Sequence, residues 1–252
     1  MCRHLARIGG PIVVADVPAR GAHSLARQAH APRFMRGTGT LNVDGYGVAW
    51  SNGDGWRSYR RAVPPWADPS GAAVLGAVTA TAVMAVVRGA TTGMPLSEHA
   101  CAPFTTDGWA FSHNGYATGW PASLVPLARE IPLTDLMTLD ASVDSAVLWA
   151  WLRHHLRAGA DPAGLLLELV ARVAEAAPGS RMNLLLSDGT TILATAWGHS
   201  LAWWRDGGET VVASEPTDDA PGWQWVPDGQ LLIARPDRVE TIAIPSTASP
   251  PP

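Results

Sequence analysis

The chain has 252 residues, 47% of them hydrophobic and 16% charged, with a net charge of −4. That is enough apolar material for a sizeable core in one large domain or two small ones, and it lacks the basic balance of a nucleic-acid-binding protein. All 18 basic residues are arginines. Cys2 and Cys101 could form one disulfide, but two cysteines in a chain of this length fit a reducing, cytoplasmic setting.

Residues 2–8 alternate like a strand until Gly9-Gly10-Pro11 breaks the pattern. The apolar patch 8–15 is too short and too interrupted for a signal peptide. Residues 19–40 are rich in Arg, His and Gly without periodicity, which predicts a long loop near the mouth of a site. Residues 44–50 and 56–61 read as a hairpin around the turn residues 51–55. The glycines flanking Tyr46 mark a close backbone approach or a bulge.

The run 71–87 is long enough to raise a membrane span. However, it is Ala-, Gly- and Thr-rich and runs into Arg88, so it reads as a short surface helix near 70–78 and a buried strand near 82–88. A loop follows over 89–95, then a strand over 109–112 ending in His113-Asn114-Gly115, where Asn-Gly alone would signal only a turn. Residues 116–140 read as mixed loop and short helix. Two helices are predicted next, 144–157 and a second opened by Asp161-Pro162 and closed by Pro178-Gly179. His154 and His155 diverge by about 100° on such a helix, poorly placed to share a metal, and no other metal-ligand spacing is visible. Strands follow at 182–186, 191–197, 201–205, 209–213, 231–234 and 239–244, then a Pro- and Ser-rich tail, 245–252, expected to be disordered. Strands, then helices, then strands, without βαβ alternation, predict an α+β fold of antiparallel sheets packed with helices.

The first residues carry the sharpest chemical signal. If Met1 is removed, Cys2 presents a thiol and an α-amine on one residue, with ordinary pKa values of about 8.5 and about 8. The amine can then take the thiol proton, which makes a nucleophile with its own base. MCRHL at the start, NVDGYGVAW, VRGATTGMP, SHNG, VDSAVL, VASEPTDD and GWQWVPDG follow in order over residues 1 to about 230. With these motifs the chain resembles the class II glutamine amidotransferases, N-terminal-nucleophile hydrolases that cleave the γ-amide of glutamine. Within that family it is similar to the amidohydrolases of ergothioneine biosynthesis.

The resemblance implies a four-layer αββα sandwich, two antiparallel sheets between helix layers, formed by a single domain over 2–244. It implies Cys2 as nucleophile, with Asn114 and the Gly115 N–H as oxyanion donors. Arg88 would grip the substrate α-carboxylate, which suits its guanidinium fork, and Asp144 would accept from the α-ammonium. Thr91 would line the glutamyl pocket. Alternative roles are a strand-end salt bridge for Arg88 and a helix N-cap for Asp144, where Ser142 competes.

The implied substrate is a small γ-glutamyl molecule, γ-glutamyl-hercynylcysteine S-oxide, with no metal, cofactor, membrane or nucleic acid involved. Any synthase would be a separate protein. The other options are a stand-alone glutaminase acting on glutamine or another γ-glutamyl compound, and a non-catalytic binding protein. Twelve Trp against three Tyr and three Phe suit a substrate with a trimethylammonium group; Trp50, Trp66, Trp120 and Trp223, in or beside loops, are the candidates. Tyr46 and Thr92 depart from the family pattern, where Trp and His are common, and leave the substrate less defined than the reaction.

Overall fold

The computed structural model describes residues 2–37, 40–246 and 248–251. Its strands in chain order are β1 (Cys2–Val13), β2 (Gly45–Ser51), β3 (Trp56–Arg61), β4 (Thr79–Arg88), β5 (Phe104–Thr106), β6 (Trp109–Tyr116), β7 (Arg181–Ser187), β8 (Ile192–Ala196), β9 (Ala202–Asp206), β10 (Glu209–Ala213), β11 (Gln224–Trp225), β12 (Gln230–Ala234) and β13 (Val239–Ala243). They form two antiparallel sheets, ordered β11-β9-β10-β1-β4-β2-β3 and β13-β12-β8-β7-β6-β5.

Alternation along each strand sorts the side chains into layers. Ala6, Ile8, Ala82 and Met84 of the first sheet meet Ala110, Leu185, Ala194 and Leu232 of the second. Many of these residues are alanines, so the sheets approach closely. The far face of the second sheet (Phe111, Leu184, Leu186, Leu193) buries the apolar stripes of the helices Asp144–Arg157 and Pro162–Ala176. The far face of the first (Leu5, Val83, Ala85, Val87) is covered by Val17, Leu25 and Leu75 from the short helices Asp16–Ala19, Leu25–Gln28 and Pro69–Gly76. The result is the four-layer αββα arrangement. No helix among the described residues is long and apolar enough to cross a membrane.

Two local expectations change. β1 does not stop at Gly9-Gly10-Pro11; a register shift between Ile8 and Ile12 absorbs them, and pairing with β4 resumes. The stretch 19–40 is not all loop, because Ser24 caps a one-turn helix that buries Leu25. Residues 38 and 39 of that stretch lie outside the described residues. In the tail, Ala248 packs against the helix-side core and Pro251 lies against Gly198; residues 247 and 252 lie outside the described residues.

Candidate active site

β1 is central in its sheet, and its first residue meets the last residue of β4, so Cys2 pairs in register with Arg88, and Arg88 with Gly45 of β2. Side chains opposite each other in register project from the same face, so the thiol and the guanidinium emerge side by side. Cys2 is half-buried and Arg88 buried. Arg88 Nη1 has no hydrogen-bond partner among the described residues, a donor at this cleft with capacity for a carboxylate. The backbone after Arg88 is held by the residue just before β2: Asp44 N–H donates to the Arg88 carbonyl, and Asp44 Oδ2 accepts from Ala90 N–H at 2.8 Å. Thr91 follows on this loop, exposed at the rim.

The second sheet supplies the opposite wall through β6. Cys2, Arg88, Thr91, His113, Gly115 and Asp144 line one narrow cleft. Met182, the partner of Gly115 on β7, donates its N–H away to the Trp197 carbonyl. Gly115 therefore faces it as a non-hydrogen-bonded pair, and its own N–H points off the other edge of β6. Two residues on, the Ala117 N–H leaves the same edge and donates to Asp144 Oδ2 at 2.9 Å. The Gly115 N–H and the Asp144 carboxylate thus share one edge.

Only glycine fits at 115: a Cβ there would lie 1.8 Å from the Arg181 carbonyl oxygen and 2.7 Å from His113 Nε2. Asn114 is fully buried between the sheets, behind the cleft wall. Its Nδ2 donates to Ser214 Oγ at 3.3 Å, leaving one Nδ2 hydrogen for another acceptor.

Asp144 opens its helix but does not cap it; Val143 occupies the cap position without a side-chain bond. Its Oδ1 accepts from Ser145 N–H at 2.7 Å and from Ser145 Oγ. His113 is bonded to the Arg181 carbonyl and to Ser145 Oγ, which ties β6 to the helix N-terminus. His113, Ser145 and Asp44 are the site-building residues that sequence reasoning missed. All three stand inside the quoted motifs, His113 in SHNG, Ser145 in VDSAVL and Asp44 in NVDGYGVAW, but nothing in those motifs gave them a role.

The two thiols are both unpaired but differ in surroundings. Burial pushes the Cys101 thiol up to about 11, and its Sγ faces the carbonyls of Arg61 and Ser97. It is inert as a nucleophile at neutral pH. His4, between the sheets behind Cys2, is bonded to Ser112 Oγ at 2.6 Å and is driven down to about 3 by burial, with the nearby Arg3 adding to the effect. Both glycines around Tyr46 mark close approaches: a Cβ on Gly45 would lie 2.4 Å from Cys101 Sγ, and one on Gly47 would lie 2.2 Å from the Ala102 carbonyl oxygen. Tyr46 itself faces the outer layer, where its hydroxyl donates to Asp68 Oδ2. Burial and that carboxylate raise its pKa.

The fold thus brings Cys2 and Arg88 of one sheet opposite Gly115 and the buried Asn114 of the other. The profile of the family "Glutamine amidotransferases class-II" matches residues 30–207. The chain belongs to the class II glutamine amidotransferase family. Among its relatives is the gamma-glutamyl-hercynylcysteine sulfoxide hydrolase of Mycolicibacterium smegmatis, 36% identical over 93% of this chain and 96% of that protein. The protein of the same name from Mycobacterium tuberculosis is 35% identical over 92% of each chain. A solved class II domain protein from Silicibacter pomeroyi superposes with a TM-score of 0.70 over 96% of this chain and 99% of that one, at 24% identity, and supports the fold. The family match takes in β2 to β9, with Arg88, Gly115 and Asp144 of the cleft, while Cys2 and β1 lie before its first residue.

Proposed function

We propose that this protein hydrolyses the γ-glutamyl amide bond of γ-glutamyl-hercynylcysteine S-oxide through Cys2, releasing glutamate. The observation that carries the reaction type is the register pairing of Cys2 with Arg88 across from the outward-facing Gly115 N–H. The substrate comes from the mycobacterial relatives, which bear that name and match this chain almost end to end.

Met1 lies outside the described residues, and the reading requires its removal. The Cys2 amine then takes the thiol proton and the thiolate attacks the γ-carbonyl carbon. The oxyanion is held by the Gly115 N–H and Asn114 Nδ2, a type of contact whose loss costs about 10²–10³ in rate. The ammonium returns its proton to the departing nitrogen as the C–N bond breaks, which leaves a γ-glutamyl thioester. Water, deprotonated by the same amine, attacks the thioester; the C–S bond breaks and glutamate leaves.

Arg88 Nη1 binds the α-carboxylate and Asp144 the α-ammonium, with Thr91 at the rim of the pocket. Every proton transfer is served by the Cys2 amine, so these steps call for no metal or cofactor. Residues 2–244 act as one domain. We place the protein in the cytoplasm, where both thiols stay reduced.

The test is glutamate release by the Met1-processed protein offered the S-oxide conjugate and glutamine in parallel. Higher kcat/KM on the conjugate supports the assignment. Preference for glutamine would keep the nucleophile and reassign the protein as a free-standing glutaminase.

A further inference from the structure

The cleft at Cys2 accounts for the glutamyl half of such a substrate and leaves the other half without a place. We propose that the leaving half docks in a second cavity, of about 440 Å³, lined by Arg33, Phe34, Met35, Arg36, Ser200 and Trp225. Phe34 and Trp225 would hold its quaternary ammonium and the two arginines its carboxylates. This rests on the function proposed above and deepens it.

Hydrogen bonds fix where the cavity lies. Ser214 Oγ accepts from Asn114 Nδ2, and the Ser214 carbonyl accepts from Ser200 Oγ at 2.7 Å. Ser200 Oγ also lies 3.0 Å from the Phe34 carbonyl. Two residues therefore separate the oxyanion donor from the aromatic wall. The segment 33–36 is anchored on both sheets. On the first, Glu215 accepts from the N–H groups of Arg33 and Phe34 while it pairs with Arg3, the neighbour of Cys2. On the second, Arg36 pairs with Asp228, whose other oxygen accepts from Gly198 N–H. The segment thus forms a lip over the end of the sandwich where Cys2 lies.

The chemistry of the lip matches a betaine. Phe34 and Trp225 meet edge to face at 4.8 Å and 66°, and each is nearly half exposed, at 42% and 48%. Two such ring faces at an angle form a corner that a trimethylammonium group fills, attracted by the ring quadrupoles. A cation already uses one face, since the Arg33 guanidinium carbon sits 5.5 Å from the Phe34 centroid. Arg33 and Arg36 are each held by one aspartate and remain exposed, with donors left for carboxylates. The tryptophans singled out from sequence serve elsewhere. Trp50 and Trp223 pack on the outer face of the first sheet, Trp120 packs against the helix-side core, and Trp66 is edge-on to His30.

The experiment has two arms. In the first, kcat/KM is measured for the S-oxide conjugate and for glutamine with wild type, Trp225→Leu, Trp225→Phe and Phe34→Leu. The ratio of the two values should fall about tenfold in the leucine variants and be largely retained in Trp225→Phe, because leucine keeps apolar area and loses the quadrupole. In the second arm, binding of Nα-trimethylhistidine to wild type is followed by NMR, with unmethylated histidine as control. The methylated form should bind more tightly, and Trp225→Leu should abolish the difference. An unchanged ratio in folded variants, with wild type still preferring the conjugate, overturns the subsite and leaves the function standing. A wild type that prefers glutamine and does not distinguish the two histidines overturns both.

Discussion

Gly115→Ala probes the least replaceable backbone of the site. The new Cβ would sit 1.8 Å from the Arg181 carbonyl oxygen, where real Cβ contacts are essentially never under 3.0 Å. β6 and β7 must therefore separate locally by about 1.2 Å, because the opposing atom is backbone and cannot rotate away. Overpacking of this kind costs about 1–3 kcal/mol, a fall in Tm of roughly 3–10 °C in a chain of this size. The same shift moves the Gly115 N–H off the oxyanion, and a displacement near 1 Å costs about 10²-fold in rate. The assay is glutamate release with iodoacetamide labelling of Cys2 alongside. The variant should fold, keep a reactive thiol and lose about 10²-fold in kcat. A folded variant with wild-type kcat would refute the placement of the Gly115 N–H in the oxyanion site.

Other outcomes follow from the same geometry. Iodoacetamide should inactivate the protein by modifying Cys2 alone, and Cys101→Ala should retain activity, because burial keeps the Cys101 thiol protonated; mass mapping of the adduct decides. Glu215→Gln leaves Arg3 charged and fully buried without its partner, which should cost about 3–5 kcal/mol in urea unfolding and free residues 33–36 for limited proteolysis.

Stability should also fall on mild acidification. His4 is lowered to about 3 and His199 to about 2, both chiefly by burial, so each stays neutral in the fold and takes up a proton only on unfolding. Their contribution is complete above pH ~6.5 and is lost as pH falls towards the folded values, at about 1.4 kcal/mol per pH unit per histidine. Urea midpoints at pH 7 and pH 5 test this, and His199→Asn should flatten the slope. An unchanged midpoint between those values in wild type would contradict it.

Much of the fold was legible because it is written locally. The hairpin of β2 and β3, the paired helices and the chain of late strands follow from alternation, turn residues and caps. The helix over Pro69–Gly76 appeared at its expected place, capped by Asp68 through Gly71 N–H. β1 was cut short because Gly9-Gly10-Pro11 breaks local periodicity, while the bulge that accommodates it depends on β4, about seventy residues away. The proposed nucleophile and the residues around it could be picked out only as an ordered set of short motifs. The pairings that hold the set in place were not legible. Arg3 with Glu215, Asp44 with Ala90 and His113 with Ser145 are pairs of distant positions, and a buried ion pair leaves no periodic trace in either partner's neighbourhood. Trp225 was overlooked for a similar reason: its ring partner, Phe34, reaches it from across the fold.

The central claim is a γ-glutamyl thioester on an N-terminal cysteine. Rapid acid quench of the protein during turnover of the S-oxide conjugate, followed by intact-mass and peptide mass spectrometry, tests it most directly. The expected species lacks Met1 and carries one γ-glutamyl group on Cys2, lost on standing at neutral pH. An active protein that retains Met1, or a glutamyl adduct at any residue other than Cys2, would contradict it.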